Sequence, residues 1–256
     1  MKKDQWQADT RYKSTQQAWE AIWDQASVDM EMEAMTYDRA QRTLHTYAAY
    51  LPDDALILEA GSGLSAAMIT LRQMGHKVIG LDYALNALLL SREYDPTLPV
   101  LAGDVHALPH PDNSLGGYLS FGVLEHFEHG MQPALAEAYR VLKPGGVLVL
   151  TIPYPNFIHR FVTWRRQRQG VSPLNDDQFY ESTYTRTALA DNVTQAGFEI
   201  VHLSPTSHSF TLWGLGGPFR QSGYYRTTAL AEALGAILRV VLPWAFNFST
   251  LVIGRK

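Results

Sequence analysis

Between residues 55 and 153 the chain alternates short apolar runs with stretches of helical period. The runs are "ALILEA" (55–60), "KVIGLD" (77–82), "PVLAGD" (99–104), "GYLSFGV" (117–123) and "VLVLTIP" (147–153). Each is of strand length, too short for a buried helix. Between them "SAAMITLRQMG" (65–75), "YALNALLLSRE" (83–93) and "MQPALAEAYRVLKPGG" (131–146) read as helices, the first closed by Gly75 and the last by a proline–glycine stop. Parallel neighbours need a crossover, and a helix supplies it. The alternation therefore predicts an α/β fold with a mostly parallel sheet and helices on both faces.

The flanks follow other rules. Residues 14–50 carry Trp19, Ile22, Trp23 and Ala26, then Leu44, Tyr47, Ala48 and Leu51, at helical spacing before Pro52-Asp53-Asp54 breaks the pattern. After Pro153, "TRTALADNVTQAGF" and "EIVHLSP" resume the helix–strand rhythm, and "STLVIGRK" is a seventh strand. We expect a helical N-terminal cap over residues 1–52 and one domain over 53–256, with insertions at 154–182 and 205–247. With 256 residues, 46% of them hydrophobic, the chain can bury a sheet of that size.

Composition narrows the chemistry. The absence of cysteine excludes disulfides, thiolate metal sites and cysteine nucleophiles. A net charge of -4 gives no general attraction for nucleic acid. The polar start "MKKDQWQADTRYK" lacks the apolar centre of a signal peptide, and no apolar run reaches the roughly 18 residues of a membrane span. A cytoplasmic enzyme is the expectation.

"LILEAGSGLSAAM" (56–68) joins the first strand to its helix through Gly61-Ser62-Gly63, a turn over which a ligand and the backbone can meet closely. A nucleotide phosphate is excluded, because no Gly-Lys-Ser/Thr follows. The spacing to Ala66 permits a dinucleotide, and Asp82 lies about twenty residues on, where the ribose of a dinucleotide or of S-adenosylmethionine would be held. Three features separate these two. Glu59 precedes the glycines, awkward beside a pyrophosphate but suited to a cationic amino-acid end. "AGDVHALP" (102–109) sets Asp104 at a strand end where it can accept from an adenine amino group. "VLKPGGVLVLTIP" supplies a Pro144-Gly145-Gly146 junction.

On these motifs, with "VLEHF" after the fourth strand, residues 55–152 resemble the class I S-adenosylmethionine-dependent methyltransferases, particularly the small-molecule branch. The resemblance implies a Rossmann-like seven-stranded sheet whose last strand is antiparallel and inserted between the fifth and sixth. It also implies S-adenosylmethionine as cofactor. Gly61 and Gly63 would pass close to its methionine part, with Glu59 organising that loop and the ammonium group. Asp82 would take the ribose hydroxyls and Tyr83 would pack near the adenine. Asp104 would meet the adenine amino group and the Val105 amide its ring nitrogen, with Phe121 on the cofactor's other side. Two positions depart from the family pattern. Ser65 stands where a third glycine is frequent, and a serine there can cap the following helix. Ser114-Leu115-Gly116-Gly117 replaces a Ser-Phe-Asp, which removes an aspartate that supports the sheet.

Outside these motifs the alternatives stay open. "LEHFEH" (124–129) offers His126 as a proton acceptor, with a metal disfavoured; methyl transfer from a sulfonium needs little beyond alignment. "NFIHRFVTWRRQR" (156–168) is a solvated helix, or a cap whose Arg160 and Arg165 attract an anionic substrate or a membrane surface. "LAEALGAILRVVLPWAF" (230–246) is apolar almost all round, which favours burial in the core, the alternative being a pocket wall for a bulky apolar acceptor together with Phe210, Trp213, Phe219, Tyr224 and Tyr225. The expected activity is methyl transfer to a small or lipid-like acceptor with an apolar body, at oxygen, by in-line displacement. The alternatives are a cofactor-binding regulatory protein and a dinucleotide-dependent oxidoreductase.

Overall fold

The computed structural model describes residues 15–168 and 181–256, so the first fourteen residues of the expected cap and part of the 154–182 insertion lie outside the described residues. Among the described residues three helices come first: α1 (15–23), α2 (Val28–Met35) and α3 (Asp38–Ala48). The alternating region follows as β1 (Ile57–Ala60), α4 (Ala66–Gln73), β2 (Val78–Asp82), α5 (Leu85–Tyr94), β3 (Val100–Ala102), β4 (Leu115–Phe121), α6 (Gln132–Val141) and β5 (Leu142–Pro153). The remainder is α7 (Phe157–Arg168), α8 (Arg186–Gln195), β6 (Glu199–Thr206), α9 (His208–Trp213), α10 (Ala229–Val241) and β7 (Ser249–Arg255).

The strands form one seven-stranded sheet in the order β3-β2-β1-β4-β5-β7-β6. All pairings are parallel except those of β7, which runs antiparallel to both β5 and β6. The order reverses between β1 and β4, and a doubly wound sheet leaves its crevice at such a point, beyond the carboxyl ends of the strands. Helices cover both faces, so the central strands are apolar throughout; Ile57, Leu58, Leu148, Val149 and Leu150 are fully buried.

Glycines explain where β4 begins. A Cβ on Gly116 would lie 2.3 Å from the Ala55 Cβ, and one on Gly117 would lie 3.1 Å from Ile57. The strand therefore starts two residues earlier than its apolar run, and the Gly116 amide donates to the Leu56 carbonyl at 2.8 Å. Close backbone approach supports the sheet at the point where the family's aspartate is missing. Ser65 corrects a second expectation. It sits at the N-cap of α4 in the left-handed region (φ 62) and makes no capping hydrogen bond. Its hydroxyl instead accepts from Ser91 Oγ at 3.2 Å. The backbone conformation, which glycine adopts without cost, explains the usual glycine there.

The N-terminal helices are tied to the sheet domain by named contacts. Gln16 Nε2 donates to the Tyr83 carbonyl at 3.0 Å, and Asn86 Nδ2 to Glu20 O and Asp24 Oδ1 at 2.7 and 2.8 Å. On the other side, Arg39 donates to Thr227 Oγ1 at 3.1 Å and to the Tyr225 carbonyl at 2.6 Å. The helix α10 overturns the expectation of burial. Only Ala231 and Gly235 face inward, because the α9 backbone comes so close that a Cβ on Gly235 would sit 2.6 Å from the Ser209 nitrogen. Leu230, Leu234, Ile237, Val240 and Val241 of α10 point outward, and Leu238 is half-buried.

Candidate functional site

A cavity of about 340 Å³ opens where the strand order reverses. Its floor is the β1–α4 turn with the ends of β2, β3 and β4, and its far wall is built by α1, α2 and α3. Glu59, Gly61, Gly63, Asp82, Tyr83, Asp104, Val105, Phe121 and His126 all line it. Arg160 and Arg165 do not; both are exposed on α7.

The turn after β1 is shaped by its glycines. Gly61 (φ 80) and Gly63 (φ 47) hold left-handed conformations that strain any other residue. Neither has room for a side chain: a Cβ would lie 2.3 Å from Val123 Cγ2 at Gly61 and 2.6 Å from the Trp23 ring at Gly63. Two buried carboxylates hold this turn. Asp82 accepts from the Gly63 amide through Oδ2 at 2.7 Å and from the Ala84 amide through Oδ1 at 2.8 Å. Glu59 Oε2 accepts from the Met68 amide at 2.8 Å, in the first turn of α4, so it performs the capping that Ser65 does not. Burial pushes the Glu59 carboxyl up to about 8, and the nearby Asp82 and Glu31 carboxylates push the same way. The Asp82 carboxyl is also raised by burial, opposed by its backbone amides.

At the β3 end, Asp104 Oδ1 accepts from the His106 amide at 2.9 Å and lies 2.8 Å from His106 Nδ1, closing a tight turn. The loop beyond is pinned to α6 by Arg140. That guanidinium donates to Glu137 at 2.7 and 2.8 Å, to Asp112 at 2.7 Å and to the Leu108 and His110 carbonyls. Glu137 in turn accepts from the Leu108 amide at 2.8 Å.

The far wall is mainly apolar. Trp19 stacks on Trp23 at 5.4 Å and meets the edge of His126 at 5.2 Å, and Tyr47 lies 5.2 Å from Phe121. One polar group interrupts it. Glu31 on α2 lines the cavity, and Tyr224 Oη donates to its Oε1 at 2.5 Å. Burial raises the Glu31 carboxyl above its ordinary value, with the Tyr224 hydrogen bond opposing. Trp19, Trp23 and Tyr47 are visible in the sequence as apolar helix positions. Nothing in the sequence marks Glu31 or Arg140, because each gains its place from a partner in another element; Tyr224 stands out only as one of the aromatics before the 230–246 helix.

Residues 58–150 match the methyltransferase domain family. Over these residues the chain is similar to the class I S-adenosylmethionine-dependent methyltransferases. The chain is 31% identical over 144 residues to a "Probable S-adenosylmethionine-dependent methyltransferase" of Mycolicibacterium smegmatis, covering 56% of this chain and 52% of the relative. It is 35% identical over 103 residues to the demethylmenaquinone methyltransferase of Renibacterium salmoninarum, covering 40% and 43%. It thus spans about half the length of the curated relatives it matches, or less. Its fold superposes with a TM-score of 0.58 on the Burkholderia thailandensis 1,6-didemethyltoxoflavin-N1-methyltransferase, solved with bound S-adenosylhomocysteine. That match has 16% identity and covers 93% of this chain and 86% of the other.

The cavity suits the family's cofactor. The glycine turn brings the backbone to the edge of this space, with Val123 and the Trp23 ring packed against Gly61 and Gly63, and Glu59 and Asp82 are buried carboxylates at the same edge. A ligand with an ammonium, a sulfonium and a ribose diol can offset what their burial costs. This gives the protein a measurable pH dependence. Unfolded, Glu59 ionises near about 4.3; folded, it keeps its proton up to about 8. The folded state then binds more protons across that window, so stability is full below the lower value and falls as pH rises toward the higher. Thermal melts of the ligand-free protein from pH 5 to 8 should show this fall, and Glu59→Gln should flatten it. An unchanged slope in that variant would assign the effect to Glu125, whose carboxyl burial also pushes up to about 8.

Proposed function

We propose that this chain transfers the methyl group of S-adenosylmethionine to the oxygen of a small or lipid-like acceptor with an apolar body. The observation that carries the reading is the cavity's division into two unlike walls. Glycine turn and carboxylates form one side, and Trp19, Trp23, Met35 and Tyr47 form the other. In this reading Gly61, Gly63, Glu59, Asp82, Tyr83, Asp104, Val105 and Phe121 hold the donor. The indole and phenol rings receive the acceptor, because burial of an apolar body against aromatic surface supplies binding without fixed charge. The demethylmenaquinone methyltransferases among the relatives support the apolar body of the acceptor, and the malonyl-[acyl-carrier protein] O-methyltransferases support an oxygen target.

The bound sulfonium supplies an already activated methyl group, so the chain's contribution is largely alignment. An oxygen acceptor must also lose a proton. His126 and Glu31 both line the cavity, and a carboxyl raised by burial is a stronger base than an ordinary one.

Incubation with methyl-labelled S-adenosylmethionine and a set of hydroxylated aromatics, with and without alkyl tails, tests this. Label should pass to the tailed acceptors in preference to small polar ones. Label in a polar product alone would overturn the acceptor class. Donor binding with no transfer to any acceptor would point to a cofactor-binding regulatory protein.

A further inference from the structure

The helix α10 is inside out. Its small residues Ala231 and Gly235 pack on α9, while Leu230, Leu234, Ile237, Val240 and Val241 form a stripe on the solvent side. Exposure reaches 57% at Ile237, 76% at Val240 and 65% at Val241. A surface helix in a soluble domain normally turns its apolar stripe to the core. This one is held the other way round from both sides: the close α9 backbone admits only small residues, and Glu232 pairs with Arg39 at 3.9 Å and Arg42 at 4.0 Å on α3.

The stripe does not stop at the helix end. Leu242 is exposed, and the following loop returns against the start of α7. There the Phe157 amide donates to the Ala245 carbonyl at 2.9 Å, Asn156 Nδ2 donates to the Asn247 carbonyl at 3.0 Å, and the Phe157 and Phe246 rings lie 6.2 Å apart. From that junction α7 presents Phe157, Phe161 and Trp164, at helical spacing, to solvent. Between Phe157 and Arg168 the helix has four arginines and no carboxylate, although the whole chain carries a net charge of -4. Arg160, Arg165 and Arg168 are exposed; Arg168 stacks over Trp164 at 4.4 Å, and Arg186 over Trp244 at 5.3 Å.

We propose that this face, α10 with the start of α7, docks the protein on a membrane surface containing anionic lipid. Aliphatic side chains on one in-plane helix, aromatic rings beside it and arginines at the margin match the depth profile of a bilayer interface: hydrocarbon, then headgroup, then phosphate. From Leu230 to Val241 the stripe runs about 17 Å, enough to lie in the interface and too short to cross a bilayer. A second copy of the chain fits less well, because a two-fold pairing on α7 would oppose arginine to arginine. The proposal stands on these helix faces and is independent of the acceptor reading.

Flotation of the full chain with phosphatidylcholine vesicles, and with vesicles containing about one third phosphatidylglycerol, tests it. The protein should float with the anionic vesicles and release as salt rises. Ile237→Asp with Val240→Asp changes two exposed positions and should lower the bound fraction at least tenfold, with donor affinity and melting temperature retained. Arg160→Gln with Arg165→Gln should weaken binding to anionic vesicles only. No flotation at low salt, or flotation unchanged in the aspartate variant, would overturn the proposal. So would a stable dimer by sedimentation that the aspartate variant splits, since a second copy would then be the occupant.

Discussion

Asp82→Ala is expected to lower the affinity for S-adenosylmethionine by at least about a hundredfold. In the proposed reading Asp82 accepts two charge-assisted hydrogen bonds from the ribose, at about 1.5–3 kcal/mol each, and their loss would account for that much, since about 1.4 kcal/mol is a factor of ten. The structure adds a second loss. The same carboxylate accepts from the Gly63 and Ala84 amides, and its removal leaves two buried donors unpaired. An unpaired buried donor costs about 1–3 kcal/mol, so the melting temperature should fall as well. Calorimetry against S-adenosylhomocysteine, with melting measured alongside, separates the two losses. Unchanged affinity in a folded variant would show that the carboxylate serves the turn alone.

Glu31→Gln is expected to reduce turnover of a hydroxyl acceptor by roughly a hundredfold or more, the scale of a lost general base. Glutamine keeps the size and can still accept from Tyr224, so α2 should hold its place. Donor affinity should move far less, because the glycine turn and Asp82 are untouched. The pH–rate profile gives the stricter test: the limb that reports deprotonation of the base should disappear in the variant. Turnover close to wild type would leave Glu31 as the anchor for Tyr224 and assign the proton to His126.

The legibility of this molecule in its sequence follows the range of the interactions. The β1–β5 alternation is local, set by apolar runs and glycine or proline stops within a few residues of each element, and it places Glu59, Asp82 and Asp104 at strand ends. Gly61 and Gly63 are equally local, since a positive φ is a property of the residue itself. What the sequence conceals is contact between distant segments. Arg140 reads as one more polar position on α6 until its five hydrogen bonds to Glu137, Asp112 and two carbonyls appear. The α10 stripe reads as core because periodicity reports which residues share a face, but not which way the face turns. The close approach of Ser209 to Gly235 decides that.

The insertion of β7 between β5 and β6 has a consequence for how the protein reaches its fold. The sheet edge strand β6 pairs with β7 alone, and β5 meets β6 only across it. Val147 pairs with Arg255, so this closure joins residues roughly a hundred positions apart, a separation that slows folding. Until Ser249–Arg255 is seated, one edge of β5 is an open row of donors and acceptors in the most apolar part of the sheet. On the ribosome that edge must wait for the whole 154–248 segment to be synthesised. Refolding at high protein concentration should therefore lose yield to association through β5, and a peptide of the β7 sequence supplied in trans should compete for the same edge.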